Sequence, residues 1–355
     1  SAALALVAAV SAHPGHHHSL AKRLTPGSPT TSTWYHRDNS PYHKLFRRGP
    51  ATDGVQYAQV GSPAWAAAYP THSPTSMPQA WQDALNAAVS AGKIPNIPVT
   101  TVNGGLPTYP QGYDPASAQV CSATYRACRI PGDIWDAPDG EVGISFDDGP
   151  LPQSSDTLYA FLQQNNLPAT HFFIGVNILN NPNEFLTAFN MGGDIAVHTW
   201  THPQMTTLSN EQVVMELGWT MEIIHNSTGG RLPRFWRPPT GDSDTRVSAI
   251  AREVFGLTTV IWNYDTRDWS MSTTSLTVQQ VEGNLTSWYT GAKSPGLIIL
   301  EHELTNDTVA AFINTWPTAA NNGWKPVSVA QLDGKQAPYQ NAQGSSGAVT
   351  QVSDV

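Results

Sequence analysis

Four short stretches, far apart in the chain, carry side chains able to do acid, base or metal-ligand chemistry. They are Ser145-Phe146-Asp147-Asp148-Gly149-Pro150, His198-Thr199-Trp200-Thr201-His202-Pro203, Arg237-Pro238-Pro239-Thr240-Gly241-Asp242 and Leu300-Glu301-His302. Each alone is a weak signal. Together they offer one carboxylate and two histidines for a three-ligand metal site, with a second carboxylate and a third histidine left for proton transfer. The set implies a metal-dependent hydrolase. Asp147 and Asp148 are adjacent and point to different sides, so one can bind a cation while the other faces a water on it. On its own the same segment is only a turn. His198 and His202 have the spacing of one helical turn, but Pro203 biases His202 away from helical geometry, so a loop is equally open. His302 follows three apolar residues and emerges at the same end as the aspartates, where a nearby carboxylate would make it a proton shuttle.

The elements that must position these groups are legible from residue 113 onward. Short apolar runs at 142–146, 170–174, 195–197, 258–262 and 297–300 read as strands. Between them, 156–164, 183–190, 211–226, 245–255, 277–287 and 308–315 read as helices. The third begins with a capping box, Ser209 and Gln212, ahead of Val213, Leu217, Met221 and Ile224 on one face. Strand and helix alternating, with fully apolar strands, predicts an α/β fold whose parallel sheet is covered by helices. Polar motifs placed just after the strands favour a distorted (β/α) barrel over an open sheet.

Composition bounds the partners. The 355 residues are 40% hydrophobic and carry 27 acidic against 18 basic residues, a net charge of −9, which argues against nucleic acid. Residues 1–12 read as the remnant of a signal peptide, an apolar run ending in Val10-Ser11-Ala12, and predict secretion. Residues 13–112 have little periodicity apart from a helix at 78–91, and read as a Pro/Ser/Ala-rich leader or an extension lying against a core. The cluster His13, His16, His17 and His18 reads as linker. Residues 333–355 read as a disordered Ser/Gly-rich tail. Cys121 and Cys128 suit a disulfide in an oxidising compartment, with two free thiols as the alternative. Sequons at Asn226, Asn284 and Asn306 are compatible with a glycoprotein.

In this order the motifs resemble the five of the NodB-type polysaccharide deacetylases, carbohydrate esterase family 4, and among them the fungal chitin deacetylases. The first three stretches supply three motifs, Asp265-Thr266-Arg267-Asp268-Trp269 the fourth, and Leu300-Glu301-His302 the fifth. The resemblance covers about 115–332, within a catalytic domain placed at 113–332. It implies hydrolysis of N-acetyl groups from chitin or chito-oligosaccharides, with xylan or peptidoglycan as alternative acetylated substrates. A silent glycan-binding glycoprotein is the alternative outside enzymes, although pure binding requires neither a base nor an acid.

The resemblance also implies roles. Asp148, His198 and His202 would hold one divalent ion, zinc or cobalt. Asp147 would be the general base, held by Arg237, and His302 the general acid, oriented by Asp268. The backbone N–H of Thr240 would face the oxyanion, while Trp269, Leu300 and Pro239 would line the substrate pocket. Thr240 departs from the family, which usually has an aromatic there, so altered substrate grip is expected. Cell-wall or membrane attachment through a lipid anchor signal is a further expectation of the resemblance.

Overall fold

The computed structural model describes residues 45–46, 58–102, 104–126, 128–334 and 337–349. The expected signal remnant and the histidine cluster at 13–18 lie outside the described residues. Among the described residues, eight strands follow in order: β1 (Glu141–Asp147), β2 (Thr170–Phe173), β3 (Asp194–Val197), β4 (Phe235–Trp236), β5 (Thr258–Thr259), β6 (Tyr264–Asp265), β7 (Ile299–Leu300) and β8 (Lys325–Ser328). Ten helices accompany them: α1 (Pro63–Ala66), α2 (Gln79–Ser90), α3 (Ala123–Arg126), α4 (Ser154–Gln164), α5 (Gly175–Asn180), α6 (Pro182–Asn190), α7 (Asn210–Ser227), α8 (Thr245–Phe255), α9 (Val278–Tyr289) and α10 (Asn306–Asn321).

Six strands form one parallel sheet in the order β5-β4-β3-β2-β1-β8, and β6 pairs with β7, again in parallel. Single bridges carry the curl around: Val142 to Leu297 and Asp147 to His302 join β1 to the β7 segment. Ile134 reaches Val260 and Ala137 reaches Gly296. The result is the expected distorted barrel. Because the strands run in parallel, their C-terminal ends share one rim, and the motifs follow β1, β3, β4 and β7 onto it.

Side chains alternate along each strand and so divide into two layers. Ile144, Phe146, Phe173, Ile195, Val197 and Trp236 face the helices, whereas Phe172, Ala196, Phe235 and Val260 form a separate cluster on the other face. On β1 the alternate positions are Gly143, Ser145 and Asp147, which leaves the inner face of the strand polar toward its C-terminal end.

Six elements were not anticipated: β4, β6, β8, α1, α3 and α5. Each is short, and a two-residue strand has no measurable period. The expected strand at 258–262 shortens to Thr258–Thr259, because the chain leaves the sheet to bridge Ile134.

The N-terminal extension packs on the barrel. Trp81 of α2 is fully buried against α7 and α8, and a Cβ at Gly218 would lie 2.5 Å from its ring. Phe46 lies tilted against Trp81, ring centres 5.9 Å apart, and the Trp81 Nε1 donates to the Leu45 carbonyl at 3.1 Å. The tail corrects the expectation of disorder for its described part. Tyr339 is fully buried and bridges Pro233, Gln340 N–H donates to Leu232, and the Arg234 guanidinium donates to the carbonyls of Ala337 and Tyr339. Polar side chains, Arg231, Arg234, Gln340 and Asn341, bond to backbone carbonyls here beside one buried tyrosine, so low hydrophobicity concealed the docking. Cys121 and Cys128 form a disulfide. The Asn226 sequon is buried in α7, its amide donating to Tyr69 and Glu222, while Asn284 and Asn306 are exposed.

Candidate active site

The first motif leaves β1 through Asp147, then turns sharply. Asp148 adopts φ 71°, a left-handed conformation that Asp tolerates better than most residues. Two carboxamides hold this turn, Asn177 of α5 donating to the Asp148 carbonyl at 2.7 Å and Asn181, just past its end, to that of Pro150 at 2.9 Å. From the other side Glu303 packs so closely that a Cβ on Gly149 would lie 2.3 Å from its carboxyl carbon. Only glycine fits there.

His198 and His202 converge across an irregular loop, not a helical turn. Thr199 at φ 66° and His202 at φ 63° both take left-handed backbone, which costs roughly 1–3 kcal/mol per residue outside glycine. Both Nε2 atoms lie 3.2 Å from the same Asp148 oxygen, Oδ1. Nδ1 of His198 is 2.7 Å from the Arg237 carbonyl, which can only accept, so this ring carries its proton on Nδ1 and turns a lone pair inward from Nε2.

Asp147 and Arg237 form a fully buried pair. The guanidinium donates from Nη1 to Asp147 Oδ1 at 2.6 Å and from Nη2 to Ser145 Oγ at 3.0 Å, and it lies 4.2 Å from the centre of the Phe172 ring. The other Asp147 oxygen, Oδ2, faces His198 Nε2 at 3.8 Å. On the strand end that bridges Asp147, His302 Nδ1 donates to Asp268 Oδ1 at 2.6 Å, and the His302 N–H to Oδ2 at 2.9 Å. Burial works to lower the His302 pKa, but the Asp268 carboxylate and its hydrogen bond outweigh it and push it up to about 10. Burial likewise opposes ionisation of Asp148, but His202 and His198 hold its carboxyl well below the usual range. His302 Nε2 stands 3.9 Å from Asp148 Oδ2, and the His302 backbone bridges that of Asp147 on the neighbouring strand.

The remaining expected residues are placed as follows. Thr240 is exposed at φ 55° in the turn Pro239–Gly241, and Pro239 is buried beside it. Leu300 is buried two residues before His302, on the same side of its strand. Trp269 is half-buried, and its N–H donates to Asp268 Oδ1 at 2.8 Å.

Asp148 Oδ1 is buried and has no hydrogen-bond partner, and it meets two imidazole nitrogens within 4.8 Å of one another. An orphaned carboxylate oxygen beside two inward-facing nitrogens suits a divalent cation, and the donor set of two imidazoles and one carboxylate is of the kind zinc takes. Among the described residues this is the one such cluster of His, Cys, Asp or Glu.

A family model described as polysaccharide deacetylase matches residues 136–260. Chitin deacetylase 3 of Cryptococcus neoformans var. neoformans is 41% identical over 340 residues, covering 93% of this chain and 80% of that protein. The chain belongs to the polysaccharide deacetylase family. Another relative, the chitin deacetylase of Amylomyces rouxii, is 38% identical over 262 residues, 70% of this family member and 60% of its own length. The solved chitin deacetylase of the fungal pathogen Colletotrichum lindemuthianum shares the fold, with a TM-score of 0.53 at 23% identity over 58% of this chain and 94% of that one. Polysaccharide deacetylases use a divalent metal, and the three-ligand cluster of this member suits one.

Sequence reasoning missed the residues that brace this site. Glu303 accepts from His171 Nδ1 at 2.9 Å and Ser155 Oγ at 2.5 Å, and Glu216 accepts from the histidine loop. Both are carboxylates on otherwise buried faces. A charged residue inside an apolar helix face or directly after a strand is the signal that would have found them.

Proposed function

We propose that this chain hydrolyses the N-acetyl groups of chitin or chito-oligosaccharides, releasing acetate and leaving free amines. The observation that carries the reading is the pair of anchored proton-transfer groups, Asp147 on Arg237 and His302 on Asp268, set beside the cluster Asp148, His198 and His202. A carbohydrate-binding site has no use for an acid and a base so held.

Asp148, His198 and His202 would hold the ion, with zinc or cobalt as the proposed metals. Bound there, it supplies Lewis acidity to the attacking water and the acetyl carbonyl. Asp147 takes the proton from that water, and Arg237 keeps its carboxylate aimed. Attack gives a tetrahedral oxyanion, to which the backbone N–H of Thr240 donates. His302 then gives its Nε2 proton to the departing amine, a poor leaving group until protonated. Asp268 holds the ring with Nδ1–H toward itself and stabilises its charged form. Pro239, Leu300 and Trp269 are proposed to line the acetyl pocket.

Acetate release from chitin oligomers tests this, measured before and after chelation and with zinc or cobalt restored, beside xylan and peptidoglycan. Metal-reversible release from chitin is the expected result. No acetate from any of the three under any metal would overturn the catalytic reading. Secretion belongs to the same proposal and is supported by the Cys121–Cys128 disulfide, a bond that persists in oxidising compartments. No described helix is long and apolar enough to cross a membrane. Attachment through a lipid anchor rests on the resemblance, and release from intact cells by an anchor-cleaving phospholipase tests it.

A further inference from the structure

The loop that presents His198 and His202 has one bond of its own, the His202 N–H donating to Thr199 Oγ1 at 3.0 Å, and takes its other supports from outside. It has two non-glycine residues in left-handed backbone, Thr199 and His202, and one of them is β-branched, which makes that conformation a true outlier. Something outside the loop must over-determine it. One support is the start of α5, where the Gly175 and Val176 N–H groups donate to the carbonyls of Thr199 and Trp200 at 2.9 and 3.0 Å. The other is a carboxylate. Glu216 of α7 is 4% exposed, and its Oε2 accepts from both the Trp200 and Thr201 N–H groups at 2.8 Å. Its Oε1 accepts from Thr201 Oγ1 at 2.7 Å.

We propose that Glu216 is a positioning residue for the metal site, clamping residues 200–201 so that the two imidazole nitrogens converge on Asp148. The inference rests on the reading of Asp148, His198 and His202 as the ligand set. Glu216 touches neither the ligands' donor atoms nor any reacting group; it acts through the backbone between the two histidines. The three contacts are a matter of shape, not of charge. A glutamine whose oxygen takes the place of Oε2 still accepts both N–H groups, and its amide nitrogen can donate to the Thr201 hydroxyl. An alanine leaves two buried N–H groups without an acceptor and frees the loop to relax from its left-handed residues.

The test is zinc binding to the metal-free full chain, by competition with a chromophoric chelator, for wild type, E216A, E216Q, T201V and H198A. Outer-shell supports of metal ligands typically contribute about 10–100-fold to affinity, so E216A is expected to bind zinc weaker by about that factor. E216Q should stay close to wild type, and T201V, which loses only the hydroxyl contact, should fall between them. If E216A does not fold, T201V against E216Q carries the comparison. Unchanged affinity in E216A or, failing that, in T201V overturns the proposal, as does an E216Q that binds no better than E216A, which would make the role one of charge. H198A separates the two readings. If it binds zinc like wild type, the ligand assignment itself fails and takes this proposal with it; if it alone loses zinc, only the role of Glu216 is overturned.

Discussion

At the scale of residues, two aspartates side by side do different work because their surroundings differ. Asp147 is bound by a buried guanidinium, whereas Asp148 has an oxygen with no hydrogen-bond partner and two imidazoles in front of it. Removing the charge of Asp147 while keeping its shape should therefore spare the metal and abolish turnover. Asp147→Asn is expected to lower kcat on chitin oligomers by about 10²–10⁴, the usual share of a general base, with zinc affinity retained. A variant that kept its kcat would remove Asp147 from the reaction. Asp268→Asn should lower kcat over a similar range of about 10²–10⁴, because an amide neither fixes the His302 tautomer nor stabilises its charged form. Steady-state kinetics with the zinc content measured in parallel checks both.

At the scale of elements, the extension must be counted as part of the barrel's covering layer. Trp81 occupies the place where α7 has only Gly218, and it touches Phe255 of α8 at 5.9 Å and Phe46 at the same distance. Trp81→Ala is expected to cost about 3–5 kcal/mol, read as a fall in chemical-denaturation midpoint, with zinc affinity unaltered at temperatures where the variant is folded. Gly218→Ala should also destabilise, since the added methyl would have to displace an indole ring in a packed layer. A wild-type midpoint in Trp81→Ala would mean that α2 merely rests on the surface.

At the scale of the whole molecule, stability should depend on pH in a direction set by acids that folding takes partly or wholly out of water. Burial pushes Asp133 and Asp242 up to about 7 and Asp194 up to about 6, against partners that lower them. Each is a group whose folded pKa exceeds its unfolded one. Between the two values the folded chain holds protons that the unfolded chain has released, so stability is greatest below about pH 4 for these groups and is lost as pH rises toward 7. Asp133 is the cleanest to test, because its Oδ2 lacks a hydrogen-bond partner and it lies outside the motifs. Asp133→Asn should flatten this fall, gaining stability above pH 7, on the order of 4 kcal/mol at most, and little near pH 4. Thermal midpoints of both proteins across pH 4–8 decide it, and parallel curves would rule Asp133 out as a source of the dependence.

What the sequence by itself determined was the chemistry and its frame. Asp147, Asp148, His198, His202 and His302 were legible as a set because each follows an apolar run, and in a parallel sheet such runs deliver their ends to one rim. The longer elements were equally legible, α7 and α8 above all, since eleven or more residues give a clear period. Only the tertiary structure decided which nitrogen and oxygen atoms meet. The left-handed turns at Asp148, Thr199 and His202 have no signature in residue type, and Asn177, Glu303, the start of α5 and Glu216 reach these segments from other elements. The two-residue strands, the docking of Trp81 and the packing of Tyr339 escaped for the same reason. Their stability comes from partners distant in the chain, and local propensity carries no record of those partners.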